Sequence, residues 1–180
     1  MYESKGPVLI PTDDMDYVLG YVNTKVYQAF IDIVAPTLDY SEGAVLKTPY
    51  MYDERNAESV IGNARENVQI SKNDWDSFET SWDFTRHPFI KAITKYPNMM
   101  DIGNIYLAEC YDIWAGECEE RFEKLKANEE ELNRIFIDIY GLQDELTPEV
   151  EDKDVTVRKA DLQRDIKSLL SYCLLYTSPS

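Results

Sequence analysis

Apolar residues recur at steps of three and four along most of the chain, and this period predicts a mainly helical fold. The first such stretch begins after Thr12, a suitable helix cap, and should end before Pro36, because proline disfavours helix at the residue before it. Its first turn carries Asp13, Asp14 and Asp16, which suit the positive end of the helix dipole. The apolar members are Met15, Val18, Leu19, Val22, Val26, Phe30 and Ile33.

Two shorter helices are predicted next. The period continues from Asn56 to Val68, although Gly62 weakens it. The stretch WDSFETSWDF, capped by Asn73 or Asp74, predicts a short helix whose aromatic side chains anchor it to its neighbours.

The second half has the clearest period. It predicts helices over Leu107–Leu125, Leu132–Tyr140 and Leu162–Leu170. The first two are either continuous or broken at Asn128, and Gly141 is a natural stop.

A small β component is predicted near the amino terminus. Residues between Pro7 and Pro11 form a short extended piece, Leu38 and Tyr40 alternate with polar residues, and Ala44–Thr48 predicts a strand that ends at Pro49. The expected fold class is therefore mainly α with a small β component (α+β).

Charge and cysteine content narrow the function classes. The chain has 34 acidic and 18 basic residues and a formal net charge of −16, which argues against a free-standing nucleic-acid-binding domain. Three cysteines without framework spacing indicate reduced thiols, and no apolar run is long enough to cross a bilayer. We therefore expect a cytoplasmic protein with no membrane partner.

Candidate metal and nucleophile chemistry is weak. Glu151 and Lys153 match half of a metal-dependent nuclease pattern, but they lie in an acidic connector. Cys110 and Cys118 lie eight apart on an apolar helix face and are expected to pack as small hydrophobes, and His87 is the single histidine. We predict no catalytic and no metal-binding residues.

A thin set of polar residues remains for DNA. Lysines and arginines contact phosphates, and an asparagine can reach a base edge. The alternative, which is the better hypothesis for any single basic residue, is a surface charge that keeps the protein soluble. The three tryptophans are expected to be core anchors rather than base-stacking platforms. The candidate DNA contacts are Asn23, Lys25, Lys47, Lys72 and Arg86.

Three stretches resemble one family. GYVNTKVYQAFIDIVAPTLDYSEGAVLKTP is similar to recognition domains of restriction-type methyltransferases. ISKNDWDSFETSWDFTRHPFI resembles PglX-type adenine-specific DNA methyltransferases of BREX phage-defence systems. RFEKLKANEEELNRIFIDIYGLQDELTPEV, with DKDVTVRKADLQRDIKSLLSY, resembles the helical region that follows the recognition domain in that family.

The resemblance implies a parent enzyme that transfers a methyl group from S-adenosylmethionine to adenine N6. The family's catalytic Asp/Asn-Pro-Pro-Tyr/Phe motif has no match, because no Pro-Pro pair exists and Lys47-Thr48-Pro49-Tyr50 is only a partial echo. The seven glycines are isolated, so no cofactor loop is present. We therefore expect no cofactor in this segment.

The expected organisation is the end of a recognition-like domain over residues 1–52 and a helical region over 53–172. The last eight residues, CLLYTSPS, resemble a translated sequencing adapter and are expected to be a non-native tail over 173–180. The implied partners are the missing methyltransferase domain in cis, DNA through the parent, and other phage-defence proteins.

Two alternatives remain open. An acidic helical protein can mimic DNA, but it needs carboxylates in rows, whereas Glu120 with Lys124 and Glu130 with Arg134 have the spacing of ordinary ion pairs. A plain helical interaction module is the second alternative.

Overall fold

The computed structural model describes residues 8–12, 14–35, 42–95 and 107–177. These residues contain helices and connecting turns, and no strand is present among them. The helices are α1 (Met15–Val22), α2 (Lys25–Val34), α3 (Glu42–Val45), α4 (Ala57–Trp75), α5 (Pro88–Lys95), α6 (Leu107–Tyr140) and α7 (Leu162–Thr177). The mainly helical prediction is confirmed.

The predicted β component is not supported. Val45 ends α3, and its carbonyl accepts both the backbone N–H and the hydroxyl of Thr48, at 3.2 and 2.7 Å. These local bonds close a turn over the segment predicted as a strand, which is how a threonine competes with ladder pairing. Residues 8–10 are irregular, and Leu38 and Tyr40 lie outside the described residues.

The predicted first helix is two helices. Asn23 ends α1, and the hydroxyl of Thr24 accepts the N–H of Tyr27 at 3.3 Å as the cap of α2. The same hydroxyl donates to the carbonyl of Tyr21 at 2.7 Å. A buried threonine that bonds both helix ends redirects the chain, although the apolar period continues through it.

The middle of the chain differs from its prediction. Helix α4 continues to Trp75, so Asn73 and Asp74 lie in its last turn and do not cap a new helix. Residues 76–84 then form successive turns. Trp82 is fully exposed and Trp75 is half exposed, so their anchoring role was predicted wrongly. Helix α5 was not predicted from the sequence, although it starts at Pro88, and proline is favourable at the first helical position.

Helix α6 is continuous through Asn128. That side chain is buried, and its amide donates to Glu66 Oε2 and Asn67 Oδ1, both at 2.9 Å. It therefore bonds α4 and does not cap a new helix. Helix α6 ends at Gly141, whose φ of 69° lies in the left-handed region that glycine adopts without cost, as predicted.

The chain divides into two compact units. Unit 1 comprises Met1–Asn67 and Lys126–Asp152, and unit 2 comprises Val68–Leu125 and Lys153–Ser180. The predicted boundary between residues 52 and 53 separates a recognition-like domain from a helical region, and it stays a prediction.

The core of unit 1 is rich in aromatic rings. Tyr21 lies beside Phe136, with 5.2 Å between ring centroids, and is stacked on Tyr140 at 5.9 Å. Gly20 lets α1 approach α4, because a Cβ at this position would lie 2.9 Å from Val60. The buried core members are Tyr17, Tyr21, Val26, Ala57, Val60, Leu132, Ile135, Phe136 and Ile137.

The core of unit 2 forms around Trp114, which is buried as predicted. Cys110 and Cys118 are buried beside it, which confirms that they pack as small hydrophobes. Phe89 and Ile93 of α5 complete the buried cluster.

Helix α7 extends beyond its predicted end at Leu170 to Thr177. The residues between contain neither glycine nor proline, so nothing in the sequence stops the helix there. Leu174 and Leu175 are exposed. The origin of residues 173–180 stays a prediction.

Candidate functional site

The predicted DNA contacts are divided between the two units. Asn23, Lys25 and Lys47 belong to unit 1, and Lys72 and Arg86 belong to unit 2. The sequence alone gives no means of placing them, because each lies on a different element or turn.

In unit 1, two of the three candidates hold the structure together. Asn23 is exposed, and its side-chain N–H donates to the carbonyl of Leu19 at 2.8 Å. The ammonium group of Lys25 donates to the carbonyl of Glu149, and its backbone N–H donates to Asn133 Oδ1 at 2.9 Å. Lys47 is exposed and makes no ion pair within the described ranges.

In unit 2, Lys72 is held by two carboxylates. Its Nζ lies 2.6 Å from oxygens of both Asp76 and Asp83, and these hydrogen bonds raise the pKa of Lys72 above its usual value. Because two carboxylates already neutralise this ammonium group, Lys72 is a weak candidate for a phosphate contact. Arg86 is exposed, and in the part of the chain that is described it makes no ion pair.

A tyrosine cluster in unit 1, which no sequence motif indicates, holds the segment Pro49–Asp53. The hydroxyls of Tyr21 and Tyr140 donate to the carbonyl of Pro49 at 2.5 and 2.8 Å. Tyr17 donates to the carbonyl of Met51 at 3.3 Å and accepts the N–H of Asp53 at 3.1 Å. Burial raises the pKa of Tyr17 and Tyr21, so both remain neutral donors. The only signal in the sequence was a count of 13 tyrosines.

Pro49 and Tyr50, the partial echo of the catalytic motif, therefore have structural partners. The Pro49 carbonyl accepts two tyrosine hydroxyls, and the Tyr50 ring lies edge-on to Tyr17 at 6.1 Å. The echo follows the turn after α3 and not a strand.

Two adjoining cavities open beside this cluster. Their volumes are about 420 and 530 Å³, and the described residues that line the second are aliphatic except for one tyrosine. Of the described residues that line the first, only Asp14 is charged. The residues common to both are Leu9, Val22, Tyr27, Val45 and Leu46. The part of the lining that is described offers no basic side chain for a phosphate or a nucleotide.

Unit 2 has a buried polar centre at Asp165. One carboxylate oxygen accepts the indole N–H of Trp114 and the backbone N–H of Asp161, both at 3.0 Å. The other accepts Arg164 Nε at 2.8 Å. Asp165 also lies in the first turn of α7, where the helix dipole favours an anion. Its bonds are satisfied within the chain, which indicates a structural role.

His87 is buried near Asp165 and is neutral. Burial lowers its pKa to about 4, against a smaller opposing effect of the Asp165 charge. Its Nδ1 accepts the N–H of Phe89 at 3.2 Å, at the start of α5. A cavity of about 10 Å³ beside it is no larger than one water molecule. This site has no room for a substrate.

The remaining candidates for chemistry are the Cys118 thiol and the weak nuclease pattern. Burial raises the pKa of the Cys118 thiol to about 12, so the reactive thiolate is scarce at neutral pH. In the weak nuclease pattern, Asp152 pairs with Lys126 at 2.6 Å, and Glu151 and Lys153 are exposed. The described residues contain no group of three metal-ligating side chains and no helix long and apolar enough to span a membrane.

The chain is similar to two adenine-specific methyltransferases. It is 40% identical over 174 residues to the adenine-specific methyltransferase PglX of Lacticaseibacillus casei (strain Zhang), covering 96% of this chain and 14% of that protein. It is 28% identical over 130 residues to the adenine-specific methyltransferase BrxX of Escherichia coli O9:H4 (strain HS), covering 72% of this chain and 10% of that protein. No model of a known protein family matches.

These matches confirm the resemblance inferred from the three stretches. Over nearly all of its length, the chain is of the PglX type in sequence. It spans only 14% and 10% of the lengths of these two relatives.

Proposed function

We propose that this chain is the carboxy-terminal recognition and scaffold segment of a site-specific adenine-N6 DNA methyltransferase that serves bacterial phage defence. The main support is that 96% of the chain aligns with a methyltransferase although its sequence contains neither a Pro-Pro pair nor a glycine-rich loop. Chemistry on adenine requires an extrusion pocket, and S-adenosylmethionine requires its own loop. Both functions are therefore assigned to the rest of the enzyme.

We propose Lys47 of unit 1 and Arg86 of unit 2, each considered by itself, as the stronger phosphate contacts among the five candidates. Both are exposed and have no ion pair within the described residues, whereas Lys25 and Lys72 are bonded inside the chain. Each phosphate that a basic side chain neutralises releases counterions. Lys47→Gln or Arg86→Gln in the complete enzyme should therefore reduce the salt slope of DNA binding by about one unit.

Lys167→Gln is the matched control for these two substitutions, because Lys167 is also exposed and also lacks an ion pair among the described residues. Its substitution should leave the salt slope unchanged. Equal slopes for all three variants would show that neither Lys47 nor Arg86 contacts a phosphate.

The isolated chain should be inactive. In isothermal titration it should bind no S-adenosylmethionine, and it should transfer no tritiated methyl group to mixed-sequence DNA. Its DNA affinity should not exceed the non-specific level of roughly 10⁻⁴ to 10⁻⁶ M at physiological salt, because few basic residues are available. Methyl transfer above background would overturn the proposed division of roles, and tight sequence-selective binding would require a more complete recognition element.

The alternative functions are an acidic DNA mimic, motivated by the net charge of −16, and a plain protein-interaction module. Several acids have basic partners, as with Lys159, whose Nζ lies 3.0 Å from Glu119 and 3.8 Å from Glu123. Glu130 and Arg134, whose spacing suggested an ion pair, have other partners. Arg134 bonds Glu131, and Glu130 accepts the N–H of Val150 at 3.0 Å. A mimic would displace DNA from a DNA-binding enzyme in a competition assay, and a recognition segment would not.

A further inference from the structure

Unit 1 has an apolar groove, defined by the five residues that line both of its cavities: Leu9, Val22, Tyr27, Val45 and Leu46. Leu46 has 75% of its surface exposed, and the adjoining Ile10 has the same exposed fraction. A chain with 34 acidic residues has many polar side chains available for its surface. A connected apolar lining on such a protein marks a surface that another group covers.

The lining defines the chemistry of the occupant. A small polar ligand needs a few converging polar groups, and a nucleotide needs donors or positive charge. Among the described residues, Asp14 is the only charged residue beside the groove, so no positive charge is present there for a nucleotide. Two of the hydroxyls beside the groove already have partners, since Tyr21 donates to the Pro49 carbonyl and Thr48 donates to the Val45 carbonyl. The suitable occupant is a set of aliphatic or aromatic side chains.

The length of the relatives indicates where these side chains originate. The aligned region is only 14% of the L. casei protein, so most of that chain lies outside it. A segment of the same polypeptide has a high effective concentration at the groove, which makes a contact of a few side chains sufficient. We infer that the apolar groove receives an apolar segment from the rest of the methyltransferase. This inference rests on the proposed function, because it requires the chain to be part of the longer enzyme.

Hydrogen exchange tests this contact. This chain is measured alone and inserted into the L. casei protein in place of its matched segment, and amide exchange is followed over residues 8–12 and 43–48. We expect exchange to slow by at least about tenfold in the complete protein, because covered backbone opens less often. Leu46→Glu in the complete protein should restore fast exchange. Leu174→Glu, which changes a similarly exposed leucine of α7, should not.

Equal exchange in both contexts, or slow exchange in both, would overturn the inference, since the groove would then be either open or covered from within. If the hybrid protein does not fold, the same comparison between the whole L. casei protein and its own matched segment decides the question. No DNA or methyl transfer enters this readout. Slow exchange with lost methylation would refute the proposed function alone, and normal methylation with unchanged exchange would refute the groove contact alone.

Discussion

At the scale of single residues, substitution by alanine should have opposite effects on the free energy of unfolding at Gly20 and at Gly62. A Cβ at Gly20 would lie 2.9 Å from the buried Val60, whereas nothing lies within 4 Å of a Cβ at Gly62. Gly20→Ala should therefore lower the free energy of unfolding by about 1–3 kcal/mol. Gly62→Ala should raise it by about 0.5–1 kcal/mol, because alanine favours helix. Urea unfolding of both variants checks this, and a stabilising Gly20→Ala would show that α1 and α4 are less closely packed.

Because His87 is buried in its neutral form, we expect the free energy of unfolding to decrease in acid. Its pKa in the folded chain is about 4, below the usual 6.5, so the unfolded chain binds the proton first as pH falls. The contribution of His87 to the free energy of unfolding is fully present above pH 6.5 and decreases toward pH 4. The loss is about 2 kcal/mol by pH 5. His87→Asn keeps an acceptor for the Phe89 N–H and has no such titration. Unfolding free energies at pH 7 and 5 should therefore differ less in the variant, and an equal decrease in both proteins would assign the acid sensitivity elsewhere.

At the scale of elements, we expect the last residues of α7 to contribute little to stability. Leu169 packs against the core of unit 2, whereas Leu174 is exposed. Leu169→Ala should therefore lower the melting temperature by several degrees, and Leu174→Ala should leave it unchanged. Deleting residues 173–180 should change it by no more than about two degrees. A large decrease on deletion would show that this end of the chain is part of the native fold.

Periodicity predicted the long helices because an apolar stripe must face a core wherever that core lies. The end of α6 at Gly141 was predicted for a local reason, because glycine suits the left-handed φ of 69°. It missed the break at Thr24, because apolar residues continue at helical spacing on both sides and a buried hydroxyl makes the turn. The predicted strand at Ala44–Thr48 failed for a similar reason, since Thr48 bonds Val45 locally.

The candidate site was less predictable than the helices. Sequence identified Lys47 and Arg86 as basic residues, but not that Lys72 is held by Asp83, eleven positions away. The tyrosine cluster depends on side chains from α1, α6 and the Pro49 segment, so no short motif indicates it. Contacts between distant positions, rather than local composition, determine which polar groups remain available.

At the scale of the whole molecule, the proposed function assigns target recognition to this segment and methyl transfer to the rest of the enzyme. In the proposed enzyme both roles belong to one polypeptide, and the segment would act through its attachment to the catalytic part. The net charge of −16 is consistent with this arrangement, because a segment tethered in cis does not need to attract DNA by itself.

The most direct measurement is a map of adenine methylation made with the L. casei protein in three forms: intact, without its matched segment, and with this chain in its place. The truncated form should keep binding S-adenosylmethionine and lose site-specific methylation, and this chain should restore methylation at a defined sequence. Loss of cofactor binding on truncation, or unchanged site-specific methylation without the segment, would contradict the account.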